Sequence, residues 1–322
     1  MARRSQRPDD LVDAAVAGDR PALARLLSLV ERGGPDARAV GRRTHLLGGT
    51  AATVGLTGAP GAGKSTLTAA LIGVLRAGGD RVGVLAIDPS SPFTGGAILG
   101  DRVRMGDHVL DDGVFIRSMA TRGHLGGLAL AAPEAVRALD AVGFPWVLIE
   151  TVGVGQVEVE VAGTADTTVV VVNPGWGDAV QANKAGLMEI ADVFVINKAD
   201  RPGAADTRRD LEQMLDLSGH PAEGAWRPPI LETVATDGRG VEAVRDAVVE
   251  HRAHLVASGE LDRRRRARLR DELHHIVAER LADRARALGR GDAFEAAVEA
   301  VAARRTDPWS ATDALLDGDG SG

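Results

Sequence analysis

The spacing of apolar positions changes character twice along this chain. Between residues 11 and 47 they recur at helical intervals (Leu11, Val12 and Val16, then Leu23, Leu26, Leu27 and Val30), which predicts short amphipathic helices. From residue 52 to residue 258, short apolar runs at 52–57, 81–87, 114–118, 146–150, 167–172, 193–197 and 229–235 alternate with helical stretches such as 64–77 and 125–142. Strands that alternate with helices of this length predict a parallel sheet covered by helices. After Gly259 the period is purely helical, with Leu261, Leu269, Leu273, Ile276, Val277, Leu281 and Leu288 on one stripe. The expected division is therefore an N-terminal helical segment (1–51, with 1–9 disordered), a parallel-sheet domain (52–258), a C-terminal helical extension (259–316) and a disordered tail (317–322). The C-terminal stripe suits packing either on the parent domain or, as an arm, on a second copy of the chain. No internal repeat of fixed period is visible.

Composition narrows the chemistry. The chain has 322 residues, of which 44% are hydrophobic and 26% charged, enough for a large core without covalent staples. It contains no cysteine, which excludes disulfides, thiolate zinc sites, thiol nucleophiles and iron–sulfur clusters. A cytoplasmic location fits that absence, and no apolar run approaches the length of a membrane span. A net charge of −7, 3% aromatic residues and no tyrosine argue against nucleic-acid binding, and the basic run Arg263 to Arg266 is expected to be a solvated helix face. Only three of the 38 basic residues are lysine: Lys64, Lys184 and Lys198. Arginine replaces lysine freely on surfaces but not where a compact ammonium must fit, so each lysine becomes a candidate for function. The eight histidines form no His-x-His or HExxH arrangement, and His274 and His275 are expected to be structural.

Two of the lysines fall in nucleotide motifs. The run at 53–57 leads into Gly58, Ala59, Pro60, Gly61, Ala62, Gly63, Lys64 and Ser65, followed by Thr66, which satisfies G-x-x-x-x-G-K-[ST] between a strand and a helix. Backbone amides and the helix N-terminus would cradle phosphates there, Lys64 would reach the β and γ oxygens, and Ser65 would hold Mg²⁺. Asn197, Lys198, Ala199 and Asp200 end another strand, and the Asp200 carboxylate can accept the two donors that guanine offers and adenine lacks. GTP is therefore the expected substrate, with a further base contact from the backbone at Val234, Ala235 and Thr236. Mg²⁺ uses one or two carboxylates beside phosphate oxygens, and Asp88, Asp101 and Glu150 are the candidates at strand ends or after a glycine-rich loop. Glu150-Thr151-Val152-Gly153 stands where many GTPases carry Asp-x-x-Gly. Val154 follows where a water-orienting glutamine would be, with Gln156 two residues on, so turnover is expected to be slow until another group or protein completes the site. Lys184, with Asp178 in the same loop, is a candidate to meet the transition-state charge.

These stretches resemble the MeaB/ArgK-type GTPases, the chaperones associated with methylmalonyl-CoA mutase. The likeness is carried by TGAPGAGKSTL from Thr57, AIDPSSPFTGGAILGDRVRM from Ala86, SMATRGHLGGL from Ser118, ETVGVGQVEVEV from Glu150, NPGWGD from Asn173 and NKAD from Asn197, and it extends to DPWSATDALL near the C-terminus. The resemblance implies a P-loop G-domain of the metallochaperone-like class, homodimeric through its helical extension. It implies a protein that binds a cobalamin-dependent acyl-CoA mutase and gates the loading and protection of adenosylcobalamin. It further implies that Asp88, Asp101 and Glu150 are the Mg²⁺-associated acids and that Asp178 and Lys184 belong to an additional switch loop. The chain departs from the pattern at Val157, where the family usually has serine. Competing readings are a kinase linked to Lys/Arg/Orn transport, a nickel metallochaperone, for which Cys or His clusters are missing, and a nucleotide-dependent binding module.

Overall fold

The computed structural model describes residues 7–88, 106–108, 110–120, 127–151, 163–175, 189–217 and 224–319. Three helices come first: α1 (Pro8–Val16), α2 (Arg20–Arg32) and α3 (Gly34–Leu47). Each has proline within its first turn, where the missing N–H costs nothing, and the Asp19 carboxylate caps α2 by accepting the Ala22 amide at 3.0 Å. The sheet domain then runs β1 (Ala52–Gly58), α4 (Lys64–Ala77), β2 (Val82–Asp88), β3 (Val114–Ala120), α5 (Gly127–Ala141), β4 (Trp146–Thr151), β5 (Thr167–Val172), β6 (Val193–Asn197), α6 (Ala204–Leu217), β7 (Ile230–Thr233) and α7 (Val241–Ala257). Three C-terminal helices follow: α8 (Glu260–Leu288), α9 (Asp292–Ala302) and α10 (Pro308–Asp319). The strands lie where the apolar runs predict them. The last helix continues to Asp319, into the stretch expected as tail.

Among the described residues seven strands form one parallel sheet, in the order β3-β2-β4-β1-β5-β6-β7. Alternation along each strand supplies two apolar faces. On one face Val54 and Leu56 of β1, Leu148 of β4, Val169 and Val171 of β5 and Val193 and Val195 of β6 pack with Leu67, Leu71 and Leu75 of α4 and Val244 and Val248 of α7. On the other, Leu85, Ile87, Val147 and Ile149 meet Leu139 of α5 together with Leu23, Leu26, Leu27 and Val30 of α2, while Val170, Val172, Phe194 and Ile196 meet Leu211 of α6. The N-terminal segment thus shares the sheet's core, and fully burying each of its leucines is worth about 1.5–3 kcal/mol.

The chain divides into two compact units, 1–268 and 269–322. The first nine residues of α8 therefore belong with the sheet. Arg263 and Arg266 are exposed, as expected of a solvated face, but Arg264 pairs with Asp192 at 3.0 Å and Arg265 pairs with Asp166 at 2.6 Å. Arg268 also pairs with Asp166. These aspartates immediately precede β6 and β5, and burial forces them to find partners. In the second unit no residue of α8 is buried, and Leu269, Leu273, Val277 and Leu281 of the stripe are exposed.

Candidate functional site

The glycine-rich loop leaves β1 at the centre of the sheet, between β4 and β5. Gly58 has φ 129°, and a Cβ there would stand 2.0 Å from the Val171 carbonyl oxygen. Gly63, at φ 92°, leads directly into α4, and its Cβ would stand 2.4 Å from the Asn197 amide nitrogen. Only glycine serves at either position: both have left-handed φ, and both press against another strand's end. Lys64, the first residue of α4, is buried and donates to the carbonyls of Gly58 (2.7 Å) and Ala59 (3.1 Å). Its ammonium therefore lies inside the curve of the loop, beside the positive end of the helix. Ser65 follows, and its hydroxyl donates to Glu150 Oε1 at 2.5 Å, with both residues buried.

The second candidate motif is bonded to the first. Asn197, 2% exposed at the end of β6, donates from Nδ2 to the Ala62 carbonyl at 2.8 Å and accepts at Oδ1 from the Thr233 hydroxyl (3.1 Å) and the Ala235 amide (3.2 Å). Lys198 takes a left-handed φ of 61° and donates to the Gly61 carbonyl at 2.7 Å. The Ala199 amide donates to the Thr233 carbonyl at 3.0 Å, and Asp200 beyond it is exposed. One buried side chain thus joins three segments: the phosphate-type loop, the turn after β6 and the backbone after β7. Val234 and Ala235 are buried in that third segment, and Thr236 is exposed.

The structure brings together residues 58–66, Glu150, 197–200 and 234–236 along the C-terminal edge of the sheet. Asp88 is the last residue of β2 on that edge, while Asp101, Asp178 and Lys184 lie outside the described residues. Among the described residues no cluster of three His, Cys, Asp or Glu stands ready to hold a metal. The donors that fit a hard cation are the adjacent Ser65 hydroxyl and Glu150 carboxylate, whose chemistry suits Mg²⁺ bound jointly with phosphate oxygens. Sequence reasoning missed Thr233. It sits just before the 234–236 segment, but no motif distinguishes it from any other β-branched strand residue.

Residues 23–289 match the family described as methylmalonyl Co-A mutase-associated GTPase MeaB. The chain belongs to that family. As a MeaB-family protein it is a GTPase, in line with its relatives. It is 52% identical over 309 residues to a Pyrococcus abyssi protein named as a GTPase, covering 96% of this chain and 95% of the other. It is 40% identical over 253 residues to the GTPase ArgK of Escherichia coli, covering 76% of each. The crystal structure of an LAO/AO transport system kinase superposes with a TM-score of 0.72 at 26% identity, covering both chains in full. The MeaB membership and that superposition agree with the sheet and with the helices added at both ends. No helix among the described residues is long and apolar enough to cross a membrane.

Proposed function

We propose that this GTPase hydrolyses GTP with Mg²⁺ as a chaperone of a cobalamin-dependent acyl-CoA mutase, methylmalonyl-CoA mutase first among them, gating adenosylcobalamin loading and protection. The observation that supports it is the bonding of the base-reading turn to the phosphate loop through Asn197, which makes nucleotide identity and phosphate state parts of one rigid assembly. In this reading the amides of residues 58–66 and the α4 N-terminus hold the phosphates, and Lys64 exchanges its two carbonyl partners for β and γ oxygens. Ser65 and Glu150, with Asp88 and Asp101, would hold Mg²⁺, which supplies charge neutralisation on the phosphates. Asp200 accepts the guanine donors, and the backbone at 234–236 meets the guanine carbonyl. Asp178 and Lys184 complete the site when the partner is bound, which is why turnover alone is slow. The exposed stripe of α8 is the surface through which two copies associate.

Partner choice rests on the family's description as mutase-associated. The test is GTP turnover by the purified protein with and without methylmalonyl-CoA mutase, with ATP as control nucleotide. A slow basal rate that rises with mutase is expected. Equal use of ATP would overturn the role of Asp200, and an unresponsive rate would point to another acyl-CoA mutase. The name of the superposed transport-system kinase keeps a second reading open, in which the γ-phosphate passes to a protein side chain. Labelled GTP separates the two, because the chaperone leaves all label as inorganic phosphate.

A further inference from the structure

The last two residues of β4 are tied to the nucleotide loop from opposite faces of the sheet. Glu150 points toward α4 and accepts from Ser65. Thr151, 1% exposed, points the other way, and its hydroxyl donates to the hydroxyl of Thr57, 0% exposed, at 3.3 Å. Thr57 is the residue before Gly58, where the loop begins. The setting is unusual for the middle of a sheet. Val54 and Leu56 of β1 feed the α4 face, so Thr53, Gly55 and Thr57 project to the opposite face. They lie between a cluster containing Val147 and Ile149 and another containing Val170 and Val172. On that face β4 carries Val147 and Ile149 before Thr151, and β5 carries Thr168 before Val170, so the Thr57–Thr151 pair closes a mixed polar and apolar row. Valine has much the shape of threonine without a hydroxyl that must find a partner, and a buried hydroxyl that lacks one costs about 1–3 kcal/mol.

We propose that Thr151 is a positioning residue for γ-phosphate chemistry. Its bond to Thr57 fixes the end of β4, and with it Glu150, relative to the root of the phosphate loop. This rests on the proposed function, in which the neighbouring Glu150 helps to hold Mg²⁺ beside the γ-phosphate. Small displacements of a positioned group cost disproportionately in rate, so the effect falls on GTP turnover and not on the shared grip on the α and β phosphates.

The experiment compares Thr151→Val, Thr151→Ser, Thr57→Val and the double valine variant in the full chain, measuring kcat for GTP, Kd for GDP and the thermal midpoint. Loss of one neutral hydrogen bond predicts that Thr151→Val lowers kcat about three- to tenfold, with GDP affinity within about twofold of wild type by the argument above. Thr151→Ser is expected to stay near wild type. The double variant is expected to be no slower than the slower single, because both remove one contact. Thr57→Val reaches the same contact if Thr151→Val does not fold. Parallel losses in kcat and GDP affinity, failure of serine to restore the rate, or independent multiplication of the two valine effects would overturn the proposal. A wild-type chain that binds GTP without hydrolysing it would instead remove the reading beneath it.

Discussion

The two edges of the sheet are both crowded with charged and polar groups, but they are organised in opposite ways. At the N-terminal edge charges meet each other. Asp166, 2% exposed, is held by Arg252, Arg265 and Arg268. Asp192 accepts from Arg264, lies 3.3 Å from His251 Nε2 and receives the Thr168 amide at 2.8 Å. Even the linker between α3 and β1, exposed at Gly49 and Thr50, is tied down through its backbone. Its amides at Gly49, Thr50 and Ala51 donate to Asp140, and its carbonyls accept from Arg252 and Arg265. At the C-terminal edge the Lys64 ammonium rests on backbone carbonyls, the Asp200 carboxylate faces solvent, and glycines hold the chain in left-handed turns. The first arrangement consumes its charge in fastening the N-terminal helices, the sheet and the root of α8 together. The second keeps charge on partners weak enough to be exchanged for a phosphate.

Substitution at each edge should therefore break different things. The largest effect is expected from Lys64→Ala. Removing a donor aimed at transferring phosphate oxygens should lower GTP turnover about 10²–10³-fold, as for loss of one preorganised donor elsewhere, while the thermal midpoint changes little. A midpoint that falls steeply would mean that the Lys64 contacts to Gly58 and Ala59 hold the fold, and the contrast between the edges would fail. Next comes Asp200→Asn, which leaves the N–H groups of guanine facing an amide in place of a carboxylate. Hydrogen bonds to charged groups are worth about 1.5–3 kcal/mol, so KM for GTP should rise about tenfold or more with little change in kcat. Steady-state kinetics with GTP and ATP side by side would show whether the preference between them narrows.

Legibility followed the same division. The strands of the sheet were readable because buried parallel strands are continuous apolar runs, as in Thr167–Val172 and Val193–Asn197. The nucleotide loop was readable because its φ values and close contacts admit only glycine at Gly58 and Gly63. Within the arginine run at 263–266 the pairing of Arg264 and Arg265 is not legible, because charge patterning does not say what lies opposite. Their partners Asp192 and Asp166 stand 72 and 99 residues earlier, and each looks in isolation like an ordinary turn residue before a strand. Thr57, Thr151 and Thr233 were not identified for a related reason. β-branched residues are the normal content of strands, and only the three-dimensional partner of a hydroxyl shows that it does more than fill space.

The N-terminal edge yields the mildest and most specific prediction. Burial alone would raise the Asp166 carboxyl, but Arg265 and Arg268 outweigh it and hold the group below the ordinary carboxylate range. A pKa depressed in the folded state contributes stability above the unfolded value, about 3.9 for aspartate. That contribution is lost as pH falls from there through the lower folded value. Asp166→Asn should therefore cost stability near neutral pH, on the order of 3 kcal/mol for breaking a buried pair, without lowering GTP turnover per folded molecule. The difference in unfolding free energy between wild type and variant should be constant above about pH 5 and shrink below about pH 4. Denaturant titrations at several pH values measure it. A difference that stays constant down to pH 3 would show that the folded and unfolded carboxyls titrate alike and that the arginines do not depress Asp166. A loss of turnover in the folded variant would show that the two edges are mechanically linked.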